Sequence, residues 1–333
     1  MNLSQRRDLL VRLGNYMRSD TDEWNQVQQK AFLQNRWFIP EFISLAISSI
    51  AQNYLQYEQL DLLIHQYNLT EENLTPKKIG IVMAGNIPLV GFHDLLCVFL
   101  TGHYAMVKLS SKDDVLMKHL LVKLIEWDRE VEEYIVVSTM IKNCDAYIAT
   151  GSNNSSRYFE YYFGRYPSII RRNRTSVAIL TGKEDKDELE KLSDDVYQYF
   201  GLGCRNVTKI FIPKNYDFVP FLDAFRKWDH LADHHKYKNN YDYNLAIHIL
   251  NNQYYMTNGS IILVENKSAF SPISQLHYEY YANENEARNK LKGDLSIQCI
   301  VSKKDIAFGG AQYPQVCDYA DGIDTTEFLK RLS

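Results

Sequence analysis

The sequence predicts an α/β protein: a Rossmann-like, doubly wound parallel sheet, a second α/β region after it, and a helical lead-in before it. Three observations point there. Residues 77–151 alternate short apolar runs with helical stretches of about 10 to 15 residues. The alternation restarts after Gly203-Cys204, whereas residues 1 to about 68 carry apolar side chains at helical spacing and no strand pattern. Strands joined through helices need crossover connections, which are right-handed and build parallel sheets that take ligands at their carboxyl edge.

In the lead-in, Leu9, Leu10, Leu13 and Met17, then Phe42, Ile43, Leu45, Ile47 and Ile50, repeat at helical spacing, and Pro40 suits the first turn of a helix. From Lys77, KKIGIVMAG reads as a buried strand ending at glycine, IPLVGFHDLLCVFLTG as a helix and HYAMVKLS as a strand. A helix from about Asp113 to Trp127, a short apolar run around 134–137 and the strand DAYIATG follow. After Gly151 come a helix over 154–163, the strand SVAIL and a charged helix from about Lys183 to Phe200. KIFIP opens the second α/β unit, with helices near 218–228 and 244–250 and strands SIILV, QLHYEYY and SIQCIVS. The expected boundary lies near residue 200.

A net charge of −4 on 333 residues argues against a generally basic nucleic-acid binder. The longest apolar stretch, Leu95–Leu100, is far below the roughly 18 residues of a membrane span, and MNLSQRRDLL lacks the apolar core of a secretory signal. Cytoplasmic residence is the expectation. Five cysteines with no CxxC or Cys/His spacing form neither a disulfide framework nor a zinc site, so no metal is expected. No G-x-x-x-x-G-K-[ST] segment is present to support a P-loop kinase.

Four places carry chemistry, each with a plain alternative. Cys204, in FGLGCRNVTK, follows two glycines and precedes Arg205; a nucleophile beside a cation and a helix C-cap both fit. Gly85-Asn86-Ile87-Pro88 is either a turn before a helix or an amide donor facing a ligand at a strand end. Lys108, ending an apolar strand, is either solvated or placed for a nucleotide's ribose or phosphate. Thr150-Gly151-Ser152 opens a polar helix start that N-capping alone would explain. Cys97 and Cys299 lie in apolar runs and read as core; Cys144 and Cys317 are undecided.

In this order the four elements resemble the aldehyde dehydrogenase superfamily, specifically its acyl-CoA reductase branch, which includes the fatty-acyl reductase of bacterial luminescence. The Asn-x-Pro turn is similar to Asn86-Ile87-Pro88, the ribose lysine to Lys108, the Thr-Gly-Ser turn to Thr150-Gly151-Ser152, and the nucleophile segment to Gly201-Leu202-Gly203-Cys204. The stretch AFGGAQYPQVCDYADGIDTTEFL resembles the acyl-CoA reductase branch in particular. The resemblance spans about residues 77–330. It implies a lead-in and dinucleotide-binding domain over 1–200, a catalytic cysteine domain over 201–310, and a segment 311–333 returning to the first domain.

The resemblance implies that Cys204 attacks an acyl thioester, that Asn86 and the Cys204 amide hold the oxyanion, and that Arg205 and His93 are candidate supporting residues. Two departures shape the expected reaction. The glutamate that activates water in hydrolytic members is replaced in RRNRTSVAIL by Arg171 or Arg172, and the Glu-x-Phe carboxylate by Ser268 of Ser268-Ala269-Phe270. Lys108 is followed by Ser110, Ser111 and Lys112 instead of a glutamate, which favours NADPH over NADH. The expectation is NADPH-dependent reduction of a long-chain acyl-CoA to the aldehyde. A homo-oligomer and an acyl-transferring protein partner go with it. The alternatives are an acyl-phosphate reductase, an aldehyde oxidiser of the same fold, and a non-catalytic nucleotide-binding partner.

Overall fold

The structure is a computed structural model that describes residues 1–332. The chain divides into two compact units: residues 1–173 with those from 314 onward, and residues 174–313.

In the first unit, four helices come first: α1 (Leu3–Met17), α2 (Asp22–Gln34), α3 (Pro40–Asn53) and α4 (Tyr57–Tyr67). Asn2 and Gln5 form a capping box on α1, and Pro40 occupies the first turn of α3. Then follow β1 (Lys78–Val82), α5 (Phe92–Leu100), β2 (Tyr104–Lys108), α6 (Val115–Trp127), α7 (Val131–Tyr134), β3 (Ile135–Val137), β4 (Ala146–Thr150), α8 (Asn153–Phe163) and β5 (Ser168–Arg171). The strands form one sheet in the order β3-β2-β1-β4-β5, every pair parallel. Leu13, Trp24, Leu60, Ile79, Val98, Val107 and Ile148 are fully buried in its core. Because the strands run one way, Val82, Lys108, Val137, Thr150 and Arg171 all end at the same edge.

The returning segment completes this unit. The last helix of the chain, α13 (Thr325–Lys330), lies with α5. His93 Nε2–H donates to the Val316 carbonyl (2.7 Å) and His103 Nε2–H to that of Leu329 (3.1 Å), since a carbonyl can only accept.

The second unit contains β6 (Thr175–Ile179), α9 (Lys186–Tyr197), β7 (Val207–Pro213), α10 (Phe218–Ala224), α11 (His235–Leu250), β8 (Met256–Thr257), β9 (Ile262–Glu265), β10 (Gln275–Tyr281), α12 (Glu284–Leu291) and β11 (Ile297–Val301). Its sheet order is β11-β6-β7-β10-β9-β8, with only β8 antiparallel to its neighbour.

Two expectations are corrected. The division falls at residues 173 and 174, not near 200, because SVAIL pairs as β6 with β7 and β11 of the second sheet. The segment after Asn86 is not helical: residues 86–91 form turns, α5 starts at Phe92, and Leu89 adopts φ 57°, which a right-handed helix excludes.

Candidate active site

At the carboxyl edge of the first sheet, Met83 N–H donates to the Lys108 carbonyl (3.0 Å), drawing the loops after β1 and β2 together. Gly85 is needed there: a Cβ would lie 2.5 Å from Ser110 Oγ. Asn86 is exposed at the following turn, while Pro88 and Leu89 are buried. Asp113 closes that turn, its Oδ2 accepting the Leu89 N–H at 2.7 Å. Burial pushes the Asp113 carboxyl well above the usual carboxylate range.

Lys108 is exposed at the end of β2, followed by half-buried Ser110 and exposed Ser111. The nearest carboxylates on this loop are engaged within the unit: Asp113 with Leu89, and Asp114 with Gln34 and Lys118. Thr150 ends β4 opposite Arg171, and Gly151 N–H reaches the Arg171 carbonyl (3.4 Å). Ser152 N-caps α8, its Oγ accepting the Ser155 N–H at 3.3 Å. The structure therefore gathers Asn86, Pro88, Lys108, Ser110, Ser111 and Thr150 to Ser152 along one edge. The Nε2 hydrogen of His93 goes to the Val316 carbonyl, and its ring packs against Tyr54 and Tyr319, which ties down the returning segment.

Arg171 and Arg172 stand where a hydrolytic base was expected to be missing, and neither is idle. Arg171 is buried against Asp94 and donates to Thr325 Oγ1 (2.8 Å); Arg172 is exposed and paired with Glu160.

In the second unit, α9 ends at Tyr197 and the chain reverses through three consecutive left-handed residues, Tyr199 (φ 54°), Phe200 (φ 56°) and Gly201 (φ 74°). Only glycine adopts this region at little cost; the buried Tyr199 and Phe200 each store about 1–3 kcal/mol. The segment Gly203–Asn206 then closes as a turn, Asn206 N–H donating to the Gly203 carbonyl (3.1 Å), with half-buried Cys204 and Arg205 at its centre. Cys204 is thus at the tip of a turn leading into β7 and not a cap on α9, whose C-cap is Gln198.

Asn206 is fully buried. Its Oδ1 accepts the Gly203 N–H (2.8 Å), and its Nδ2 donates to the carbonyls of Gln198 (2.8 Å) and Asp195 (3.1 Å). Ser176 Oγ donates to the Cys204 carbonyl (3.1 Å) and accepts the Cys299 N–H (3.2 Å). Cys299 is half-buried on edge strand β11 with Sγ 3.0 Å from Ser176 Oγ, not in the core as its apolar run suggests. Cys97 is buried, and burial pushes its thiol up to about 12. Asp195 takes the Gly309 (2.7 Å) and Ala311 (2.9 Å) amides on its carboxyl group, which burial pushes up to about 7.

The loop after β9 is pinned through three successive carbonyls. Lys209 Nζ donates to Lys267 (2.7 Å), His277 Nδ1 to Ser268 (3.0 Å) and Thr208 Oγ1 to Ala269 (2.6 Å). Ser268, standing where a carboxylate was expected to be missing, donates its hydroxyl to the Phe270 carbonyl (3.0 Å). Asp113, Asn206 and Ser176 stand among other polar residues in the sequence, in SSKDDV, CRNVTK and RNRTSV, so no local pattern marks them.

Residues 55–219 match the family model described as acyl-CoA reductase (LuxC). No curated protein matches the chain. Among solved structures, aldehyde dehydrogenase 21 from Physcomitrella patens, in complex with the reaction product succinate, is 10% identical with TM-score 0.68, covering 100% of this chain and 84% of that one. The aldehyde dehydrogenase of Mycobacterium tuberculosis complexed with NAD+ is 15% identical with TM-score 0.63, covering 86% and 70%. The NAD+ complex of the Bacillus cereus aldehyde dehydrogenase is 11% identical with TM-score 0.64, covering 90% and 72%. No helix among the described residues is long and apolar enough to cross a membrane. The chain has the aldehyde dehydrogenase fold, and its residues 55–219 carry the acyl-CoA reductase (LuxC) family segment, which together support an aldehyde-related oxidoreductase.

Proposed function

We propose that the chain is an acyl-CoA reductase that converts a long-chain acyl-CoA and NADPH to the aldehyde, coenzyme A and NADP+. The observation that carries this reading is that the family segment 55–219 encloses Asn86, Lys108, Thr150 to Ser152 and Cys204.

The Cys204 thiolate attacks the thioester carbonyl carbon, forming a C–S bond and an oxyanion that accepts from the Cys204 N–H and the Asn86 side chain. Preorganised donors of this kind are worth about 3–4 kcal/mol each. The oxyanion collapses, expelling coenzyme A as its thiolate and leaving an acyl-cysteine. NADPH, when bound, supplies the hydride that reduces the acyl carbon. The Cys204 sulfur then leaves as the aldehyde forms, and the thiolate is restored. A reducing cytosol keeps this thiol available.

The donor set fits the reduced phosphorylated dinucleotide. Lys108, Ser110 and Ser111 would hold its ribose and 2′-phosphate, and the engagement of Asp113 and Asp114 elsewhere keeps their carboxylates from opposing it. Thr150, Gly151 and Ser152 would take its remaining polar groups beside the start of α8. Water has no carboxylate base at the Arg171 and Arg172 positions, both of which are ion-paired. General-base assistance is worth typically about 10²–10⁴-fold, so its loss favours transfer and reduction over hydrolysis.

The test is to incubate purified protein with long-chain acyl-CoA, detect the adduct by intact mass, then add NADPH and measure aldehyde. An adduct on Cys204 and NADPH-dependent aldehyde are expected. If Cys204→Ser still forms the adduct and reduces substrate at the unaltered rate, the mechanism is wrong.

A further inference from the structure

The turn that carries Asn86 is not held by a helix. Leu89 sits in the left-handed region at φ 57° with its side chain buried, a conformation that persists only where the surroundings over-determine it. Its amide is what Asp113 takes, at 2.7 Å, from a loop 24 residues further along the chain. That loop is itself fixed. Asp113 N–H donates to the Ser110 carbonyl (3.0 Å), and Ser110 presses on Gly85, the residue before Asn86. One buried side chain therefore spans the loop bearing Lys108, Ser110 and Ser111 and the turn bearing Asn86.

Asp113 is a poor choice for stability alone. It is 7% exposed, and although the Val90 amide as well as that of Leu89 favours its carboxylate, its second oxygen, Oδ1, is buried with no hydrogen-bond partner among the described residues. A buried polar atom left unsatisfied costs free energy that a well-packed apolar residue would not. What the carboxyl group supplies is an acceptor for Leu89 at a fixed reach from the β2 loop.

We infer that Asp113 is a positioning residue: through the Leu89 amide it fixes the turn that carries Asn86, the side-chain oxyanion donor. The inference rests on the acyl-enzyme reading of Cys204 and Asn86 given above.

A double-mutant cycle on the rate of Cys204 acylation by a long-chain acyl-CoA, followed by intact mass, tests it. Asp113→Ala slows acylation by about 10–100-fold, less than the roughly 10²–10³-fold of deleting an oxyanion donor outright. Asp113→Asn restores the rate to within about threefold of wild type, because its amide oxygen can still accept from Leu89. In the Asn86→Ala background, Asp113→Ala slows acylation less than about threefold further, since residues that act as a unit are not additive. The same slowing in both backgrounds, or none in either, overturns the inference while leaving the acyl-enzyme intact. Absence of an adduct in the wild type overturns the reading and the inference together. Should Asp113→Ala fail to fold, Asp113→Ser takes its place in the same cycle, with the same outcomes.

Discussion

The turn of Asn86, in the first unit, and the turn of Cys204, in the second, each take a buried polar side chain on their backbone amides, and the two ties differ in kind. Asn206 holds the Cys204 turn with an amide whose oxygen and nitrogen are both engaged. Asp113 holds the Asn86 turn with a carboxyl group whose Oδ2 takes the Leu89 N–H and whose Oδ1 has no partner among the described residues. An amide carries no charge at any pH, so the Asn206 tie does not itself titrate. A carboxyl group can, and its raised range keeps Asp113 the group to watch on the other turn.

The harshest way to break this comparison is Asn206→Leu. The branched shape is kept, but the Gly203 N–H and the Gln198 and Asp195 carbonyls lose their partner. A loss of about 3 kcal/mol or more in urea unfolding is expected, with acylation of Cys204 falling in step. Unchanged stability would mean that the amide is not the tie.

Protons enter the second unit next to this amide, at Asp195, whose backbone carbonyl Asn206 also holds. Its carboxyl is raised from the ordinary aspartate value to about 7 by burial, so between those values the folded chain binds a proton that the unfolded chain has lost. Its contribution to stability is therefore complete at the low end of that window and is lost as pH rises through about 7, amounting to a few kcal/mol. Asp195→Asn should flatten the pH dependence of the urea midpoint between pH 5 and 8. An equally steep wild-type and variant profile would assign the titration elsewhere.

On the other turn, Ser111→Glu places a carboxylate on the loop that Asp113 anchors. NADPH dissociation constants measured by fluorescence should rise about tenfold, because the new charge opposes a 2′-phosphate. Equal binding would remove the argument for NADPH. The smallest effect is expected of Ser176→Ala, which removes the donor to the Cys204 carbonyl and costs about 1 kcal/mol, read by the same unfolding assay.

Much of the fold was legible because parallel strands and crossover helices leave periodic apolar runs, and the turn at Cys204 was legible because Gly201 and Gly203 precede it. The ties were not. Asp113 reaches Leu89 across 24 residues and Ser176 reaches Cys204 across 28, and no local pattern marks such pairs. Pro88 misled because it looks like a helix start, whereas the left-handed Leu89 delays α5 to Phe92. Cys299 misled because an apolar run reads the same in a central strand as in an edge strand such as β11. SVAIL was assigned to the wrong sheet for a related reason: strand character does not reveal the partner.

The returning segment sets an order of assembly during synthesis. His93, His103 and Arg171 hold Val316, Leu329 and Thr325, so the first unit lacks these ties until those late residues leave the ribosome. The second unit is encoded without interruption from 174 to 313 and is complete earlier. The first unit is therefore the later of the two to have all its residues, and a nascent chain stalled before residue 314 would have every residue of the second unit while the first lacked its latch.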